Sequence, residues 1–538
     1  MKVASTAYTG EQAKGLEEDV RAPPRFADDK PETTLREDVA AYGLEQVYER
    51  HGRIDLVPLP SDSPLDPYNW PSWKKHVVLV QVAFYAMMGP FSAASTIPAF
   101  ENFTEDFDIS ITQASYTVSI VILFLCSFLL IGPVSARIGR RPVLLVSLII
   151  SAGVHLAGAY VDSYGAMMTV RVFQGIFLSP PLSIGASMIN EMFFLHEKGE
   201  KLGIWTLMTT LGPPVAPLVM GPVVYHENWR WIFYVLAVTN LVQFVLFIFF
   251  GPETLYDRPV RGGGGGGRGD GDAQTKQTVV VAEPPSSRGR EAWWRPYATF
   301  RRWDKTPWSR APAEMAHPFS LFLAPTVFLP TLAYSVAFAY SNVLLTVEIP
   351  SLLGRKYELT PQGVGLQFIA ACIGAILGEL VAGRGSDLFM QYRTKRARGN
   401  REAEMRLPFA FPGYLLSGVG IIIFGVTLQN SAPGHWNVRP LVGVAIALFG
   451  TQLLTTVSYG YAIESLGPHP SIATRAPAFI ATVRQVYAFV APFYLNLAFE
   501  TLGDAKAAGL LGALTTGIGF ISTTLCLVYG KRWRQKFN

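Results

Sequence analysis

Three charged side chains lie well inside long apolar stretches of this chain: Arg171, Glu379 and Arg484. A charge at the centre of a membrane-spanning helix costs roughly +2.5 to +3.5 kcal/mol on insertion scales, and chains that keep one usually aim it at a polar cavity or a partner. Arg171 opens the stretch Arg-Val-Phe-Gln-Gly-Ile-Phe-Leu-Ser-Pro-Pro181, and Gln174 and Gly175 follow on the same helical face. Two readings are open for Arg171: a cavity-facing cation, or a residue near a helix end that snorkels to the interface. Glu379 stands in Ile-Gly-Ala-Ile-Leu-Gly-Glu-Leu-Val-Ala, where small neighbours leave room for a ligand or a helix. A carboxyl in such a place can change protonation inside a cavity, which proton coupling requires. It could equally be held in a permanent pair with a cation. Arg171 and Arg484 each have a glutamine close by, Gln174 and Gln485, and either arginine could partner Glu379 or an anionic group on a substrate. Glu379, Arg171 and Arg484 form the candidate proton-coupling set.

Uncharged polar and aromatic residues in the same kind of stretch are the candidates for substrate contact: Tyr85, Gln174, Gln367, Tyr459, Tyr487 and Asn496. A mixed aromatic and amide wall suits an amphipathic organic molecule better than a sugar or a metal ion. His155 is the one histidine well inside an apolar stretch, and a lone imidazole has no ligand set. Cys126, Cys372 and Cys526 all lie in apolar runs and read as small core residues. No metal, cofactor or disulfide framework is expected. Asn102-Phe-Thr104 is a glycosylation sequon on a loop close to the first apolar run.

The elements that must position these residues are helices in a bilayer. Half of the 538 residues are hydrophobic and only 16% are charged, against about 25% in soluble domains. The mean hydropathy is +0.26. Twelve apolar runs cover about 76–98, 114–133, 142–161, 167–190, 201–222, 231–250, 318–343, 362–386, 409–428, 438–462, 474–498 and 507–529. Each can cross a hydrocarbon core of roughly 30 Å at about 1.5 Å per residue. The runs are too long for barrel strands, so the expected fold is an all-α membrane protein of twelve helices in two six-helix halves. The expected division is a largely disordered tail (1–75), a first six-helix bundle (76–251), a linker with a poly-Gly run (252–317), a second bundle (318–530) and a basic tail (531–538).

Charge sets the orientation. With the N-terminus in the cytoplasm, 38 of the 45 Lys and Arg fall on the inner side, five on the outer side and two within spans. That is the bias of the positive-inside rule, and it places both termini in the cytoplasm. The Gly run 262–267 lacks a following Gly-Lys-Ser/Thr and reads as a spacer, not a phosphate loop. Arg268-Gly-Asp270 carries no functional weight on that side of the membrane. Trp293, Trp294, Trp303 and Trp308, interspersed with Arg, suit a helix lying on the inner leaflet. The basic excess sits on membrane-flanking segments, and no nucleic-acid partner is expected.

The loop after the second span reads Gly132-Pro-Val-Ser-Ala-Arg-Ile-Gly139-Arg140-Arg141. It resembles the loop signature of the major facilitator superfamily, Gly-x-x-x-Asp-Arg-x-Gly-Arg-Arg, with Ala136 where that signature has an acid. A degenerate copy, Gly383-Arg-Gly-Ser-Asp387, follows the eighth span and keeps the acid. Arg171-x-x-Gln174-Gly175 is similar to the family's second signature. Gly203, Gly212, Ala216-Pro217 and Gly221 are a degenerate form of the Gly/Pro signature of proton-coupled antiporters, with Ala and Met220 in place of two glycines. Pro213, Pro214, Pro217 and Pro222 are expected to kink that helix. Asp66-Pro-Tyr-Asn-Trp70-Pro, Glu191-x-Phe-Phe-x-His-Glu-Lys-Gly199, Asn228-Trp-Arg-Trp-Ile-Phe233 and Pro252-Glu-Thr-Leu-Tyr256 resemble the fungal twelve-span drug–proton antiporter branch.

The resemblance implies a secondary transporter that exports a drug, polyamine or secondary metabolite in exchange for protons by alternating access. It implies a multi-pass, monomeric efflux pump of the plasma membrane whose partners are a small organic substrate, protons and lipid, and not an enzyme. Gly132, Gly139, Arg140, Arg141, Gly212, Pro217, Gly221 and Asp387 are its conformational-motif positions. The alternatives are an uptake permease or facilitator for an organic nutrient and, more remotely, a membrane scaffold or sensor.

Overall fold

The computed structural model describes residues 60–61, 63, 65–256, 297, 307–397, 402–466 and 470–537. The poly-Gly run, Arg268-Gly-Asp270, Trp293, Trp294 and Trp303 lie outside the described residues. Twelve helical spans are long and apolar enough to cross a membrane: α1 (Ser72–Phe107), α2 (Ile111–Ile138), α3 (Arg140–Gly158), α4 (Tyr164–Met192), α5 (Glu197–His226), α6 (Arg230–Phe250), α7 (Pro325–Val347), α8 (Pro361–Arg396), α9 (Ala403–Gln429), α10 (Arg439–Ser465), α11 (Arg475–Leu502) and α12 (Asp504–Gln535). No strand occurs among the described residues. The spans alternate in direction. The approach to α1, the α6–α7 connection and the end of α12 therefore share one face, the terminal face, and the α1–α2 and α7–α8 connections lie on the opposite, distal face.

Several helices overrun their apolar stretches. Hydropathy ends the eighth run near 386, yet α8 continues to Arg396, so Arg393 and Lys395 stand on a helix and not on a loop. A helix needs only satisfied backbone groups to continue, whereas hydropathy reports only the part that lipid would touch. The sequon follows the same pattern. Asn102 lies within the helical turn Phe100–Phe107 that ends α1, and its Oδ1 is buried without a partner. The helix containing α5 runs from Leu195 to His226 as one unbroken element through all four prolines. The expected kink therefore does not interrupt it.

Two six-helix halves, α1–α6 and α7–α12, share an apolar core that continues across their seam, and the second half has a further cluster around Tyr334, Tyr414 and Phe479. In the first half α5 packs along α1, α6 along α3, and α4 against α2 and α3. In the second half α9 packs on α10 and α12, and α7 on α11 and α12. Trp229, before α6, fills the distal end of the first half. It packs edge-on to Phe103 and donates its indole N–H to Asp106 at 2.6 Å. Large apolar side chains such as Phe249, Leu380, Ile521 and Val528 point outward. In water they would form a sticky belt, whereas in lipid they face a matching solvent.

The halves meet along α5 with α8 and α2 with α11. The α5–α8 backbones approach so closely that side chains have no room. A Cβ at Gly365 would stand 2.4 Å from the Pro217 carbonyl oxygen, and one at Gly221 would stand 2.8 Å from that of Pro361. Small residues permit such contact between helices in lipid, where no hydrophobic effect drives association. On the other seam the ring of Tyr116 stacks on Phe493 with centroids 4.4 Å apart. These contacts lie toward the distal face, which is closed. The α7 segment differs from its neighbours: π-helical turns occupy Ala339–Val343 and Pro350–Gly354.

Candidate functional site

Glu379 projects from α8 at the seam between the halves. Its Oε1 accepts a hydrogen bond from Thr206 Oγ1 of α5 at 3.2 Å, and its Oε2 accepts one from Gln452 Nε2 of α10 at 3.0 Å. Gly378, the preceding residue, faces Gln452 Cβ closely enough to bring α10 within reach. Neither arginine of the candidate coupling set pairs with Glu379, and no cation forms an ion pair with it among the described residues. Both donors are neutral, so the carboxyl is free of a permanent countercharge. The alternative of a fixed Glu379–Arg pair is corrected by this geometry.

The two arginines lie in different surroundings. Arg171 is fully buried inside the first half. Its Nη1 donates to the Ser92 carbonyl at 2.8 Å and to Gln174 Oε1 at 3.1 Å, and its guanidinium lies 5.3 Å from the Phe233 ring centroid. His155 Nε2 shares the Ser92 hydroxyl at 3.0 Å, and Nδ1 lies 2.6 Å from the Ser151 carbonyl. A carbonyl only accepts, so the Ser151 contact puts the proton on Nδ1, and Asn240, whose amide group lies 3.1 Å from the same atom, then presents its oxygen there while Nε2 of the neutral ring accepts from Ser92. This polar knot of α1, α3, α4 and α6 corrects the snorkelling alternative for Arg171. It also places Gln174 in the interior of the half and not on a substrate wall.

Arg484 is the cation at the seam. Its Nη1 donates to the Tyr334 hydroxyl at 3.3 Å, and its guanidinium lies 4.4 Å from the Phe338 centroid. Tyr459 packs edge-on to Tyr334. Thr455, one helical turn beyond Gln452, hydrogen-bonds Tyr334 at 3.1 Å. A polar track therefore runs from Glu379 through Gln452, Thr455 and Tyr334 to Arg484, with no direct contact between the two charges. Tyr487 joins a second aromatic group, its hydroxyl 3.1 Å from that of Tyr340, which also receives Tyr494 at 3.3 Å.

The remaining candidates for substrate contact lie apart. Tyr85 is fully buried within the first half, bonded to Ser147 Oγ at 2.8 Å and the Phe177 carbonyl at 3.3 Å. Gln367 is held near the distal face by the Trp436 indole at 3.0 Å. Asn496 lines a cavity at the distal face with Ser351, Arg355 and Glu500. Tyr85 and Gln367 thus pack against their own halves. Sequence reading missed Thr206, Gln452, Thr455 and Tyr334. Their one visible signal was a polar group in an apolar run, which many packing residues share.

The loop motifs are structured on the terminal face. Gly139 adopts φ 114°, which a side chain would resist, and this turns α2 into α3. Gly132 faces Ser183 of α4, and Gly212 faces the Met87 carbonyl of α1. Arg140 pairs with Glu191 at 3.0 Å, while its backbone N–H and that of Arg141 bond the two oxygens of Glu253 at 3.1 and 3.0 Å. Burial pushes the Glu253 carboxyl above its usual range, and these amide donors pull it back. In the second half Arg406 pairs with Glu464 at 3.0 Å and lies 3.6 Å from Asp387. In each half the arginine near the start of the third helix binds an acid at the end of the fourth, which is the internal repeat in three dimensions. Arg137, beside Ala136, is bound bidentately by Glu314 at 2.9 Å and lies 5.4 Å from the Trp308 ring centroid.

Two pseudo-repeated six-helix halves, with a carboxyl on their seam, are the architecture of a membrane transporter. Residues 82–492 match the model of the Major Facilitator Superfamily, and the chain belongs to that family. It is a multi-pass membrane transporter and not an enzyme. It is 25% identical to a probable efflux pump, mfs2, of Aspergillus flavus, over 82% of this chain and 98% of that one. It is 24% identical to a cycloheximide resistance protein of Candida maltosa, over 85% and 81%. The MFS-type transporter penM of Penicillium rubens is 25% identical over 88% of each chain. Among solved structures, the human organic anion transporter MFSD10 (TETRAN) superposes with a TM-score of 0.55 at 14% identity, over 84% of this chain and all of that one, a likeness of fold.

Proposed function

We propose that this transporter exports an amphipathic organic compound, of the drug, polyamine or secondary-metabolite class, in exchange for protons, with its terminal face in the cytoplasm of a plasma membrane. The observation that carries the reading is Glu379, held on the seam by one neutral donor from each half. As a carboxylate it accepts from both Thr206 and Gln452. Taking up a proton converts one oxygen from acceptor to donor, so one of the two bonds must be remade. The bond to Thr206 is the one that ties the halves together, and its loss lets them rock. The efflux-pump relatives support the direction, and the excess of Lys and Arg on the terminal face supports the orientation. Tyr334, Tyr340, Tyr459, Tyr487 and Arg484 supply aromatic faces and hydroxyls for the substrate.

The test is transport by proteoliposomes under an imposed proton gradient, with hydrophobic cations, polyamines and fungal metabolites as the panel. Gradient-driven movement of one class, lost in Glu379→Gln, is the expected result. Movement indifferent to both the gradient and Glu379 would leave a facilitator and overturn the coupling assignment.

A further inference from the structure

Glu348 follows the last residue of α7 and takes no part in the track around Glu379. It is 2% exposed, lies between the two π-helical turns of the α7 segment, and has an Oε1 atom that is buried with no partner. π-Helical turns mark functional sites more often than chance, because the wider turn gives up regular bonding. The Ser351 hydroxyl lies 2.6 Å from Glu348 Oε2 and 2.9 Å from the Glu348 carbonyl oxygen. A hydroxyl has one proton to donate. That proton is shared between the backbone carbonyl and Oε2, and Oε1 has no donor at all, so the buried carboxyl has too few donors for a stable carboxylate.

The surroundings fit. A cavity of about 170 Å³ opens beside this serine, lined by Ile111 of α2, Ser351 and Arg355 of the α7–α8 connection, Asn496 and Glu500 of α11, and Asp504 of α12. Glu500 repels charge on Glu348, and Arg355 favours it but forms no pair with it. Lys356 is engaged by Asp504 at 3.9 Å and by the Leu428 carbonyl. An unpaired buried carboxylate costs far more than the neutral acid in the same place. Burial and Glu500 together push the Glu348 carboxyl up to about 7.

We infer that Glu348 is a proton-binding site of the distal face, reached through Ser351, which is protonated while that face is closed and releases its proton when the face opens. Closure in this picture takes up a proton. Its advantage is fully present below the carboxyl's ordinary value near 4.5 and is lost as pH rises through about 7. The inference concerns the gate and does not depend on what is carried or on Glu379.

The experiment uses the full chain in lipid nanodiscs, with native cysteines replaced and spin labels at the exposed positions Glu105 and Lys506, one in each half at the distal face. The distance between labels is measured from pH 5 to pH 8. The wild-type side chains should give a short distance at low pH and a longer one above neutrality. Glu348→Gln should stay short throughout, and Glu348→Asp should restore the pH response. Glu500→Gln, at an exposed side chain, tests the same site without touching the core and should move the transition to lower pH. A distance independent of pH, a Glu348→Gln response matching the parent, or an unmoved transition in Glu500→Gln would each overturn the inference.

Discussion

Thr206 and Glu379 are joined by a 3.2 Å hydrogen bond that crosses from the first six-helix half to the second, over 173 residues of sequence. Together with the Gln452 bond it leaves the carboxyl with neutral partners only. A hydrogen bond to a charged group contributes about 1.5–3 kcal/mol, roughly a tenfold to hundredfold effect on an equilibrium. Thr206→Val and Gln452→Leu are each expected to lower gradient-driven transport by about tenfold or more, on the same hydrogen-bond scale. Substrate binding in the absence of a gradient should change little. Equal loss of binding and transport would assign these residues to the substrate instead.

Arg171 has a structural place within the first half. Arg171→Ala is expected to destabilise that half by on the order of 3 kcal/mol, the scale for disrupting a buried polar network. Arg171→Lys should fail to rescue, since an ammonium lacks the planar group that lies over Phe233 while bonding Ser92 and Gln174. Thermal unfolding of the purified variants checks this. An unchanged unfolding temperature with abolished transport would return Arg171 to the coupling set.

Gly365 and Pro217 hold the distal ends of α8 and α5 together. Gly365→Val puts a side chain where the Pro217 carbonyl oxygen stands and should prevent distal closure. A cysteine at Leu352, which lines the distal cavity, would then react with a membrane-impermeant thiol reagent at all pH values, and transport should fall to background. Protection of that cysteine in the valine variant would show that the gate closes elsewhere.

Arg137 and Glu314 tie the α2–α3 turn to the short helix Ala311–Ala316 that precedes α7. Ala136 stands where the family signature has an acid, and Glu314 brings a carboxylate to the same turn from the linker. Glu314 is 37% exposed, which reduces the strength of the pair. A double-mutant cycle on Arg137→Ala and Glu314→Gln, read by thermal stability, should give a coupling of about 1 kcal/mol. Strict additivity would reduce the contact to incidental packing.

The sequence by itself determined the membrane class, the twelve spans, the two halves and the family, because hydropathy, charge bias and loop signatures are local properties. It also singled out Glu379 and Arg171, since any charge inside an apolar run is conspicuous. What each side chain meets was decided only by tertiary structure. Hydropathy says that a helix is in the membrane and not which way it is rotated, and in lipid the apolar faces toward protein and solvent look alike. So Tyr85 and Gln174 proved to face the interior of the first half, and Gln367 to hold Trp436. Glu379 found its donors on α5 and α10 and not in either arginine. Glu348 escaped notice because it reads as a loop acid at the end of a span. Only the packing of α7 against α11 shows that this carboxyl is buried with one oxygen unbonded.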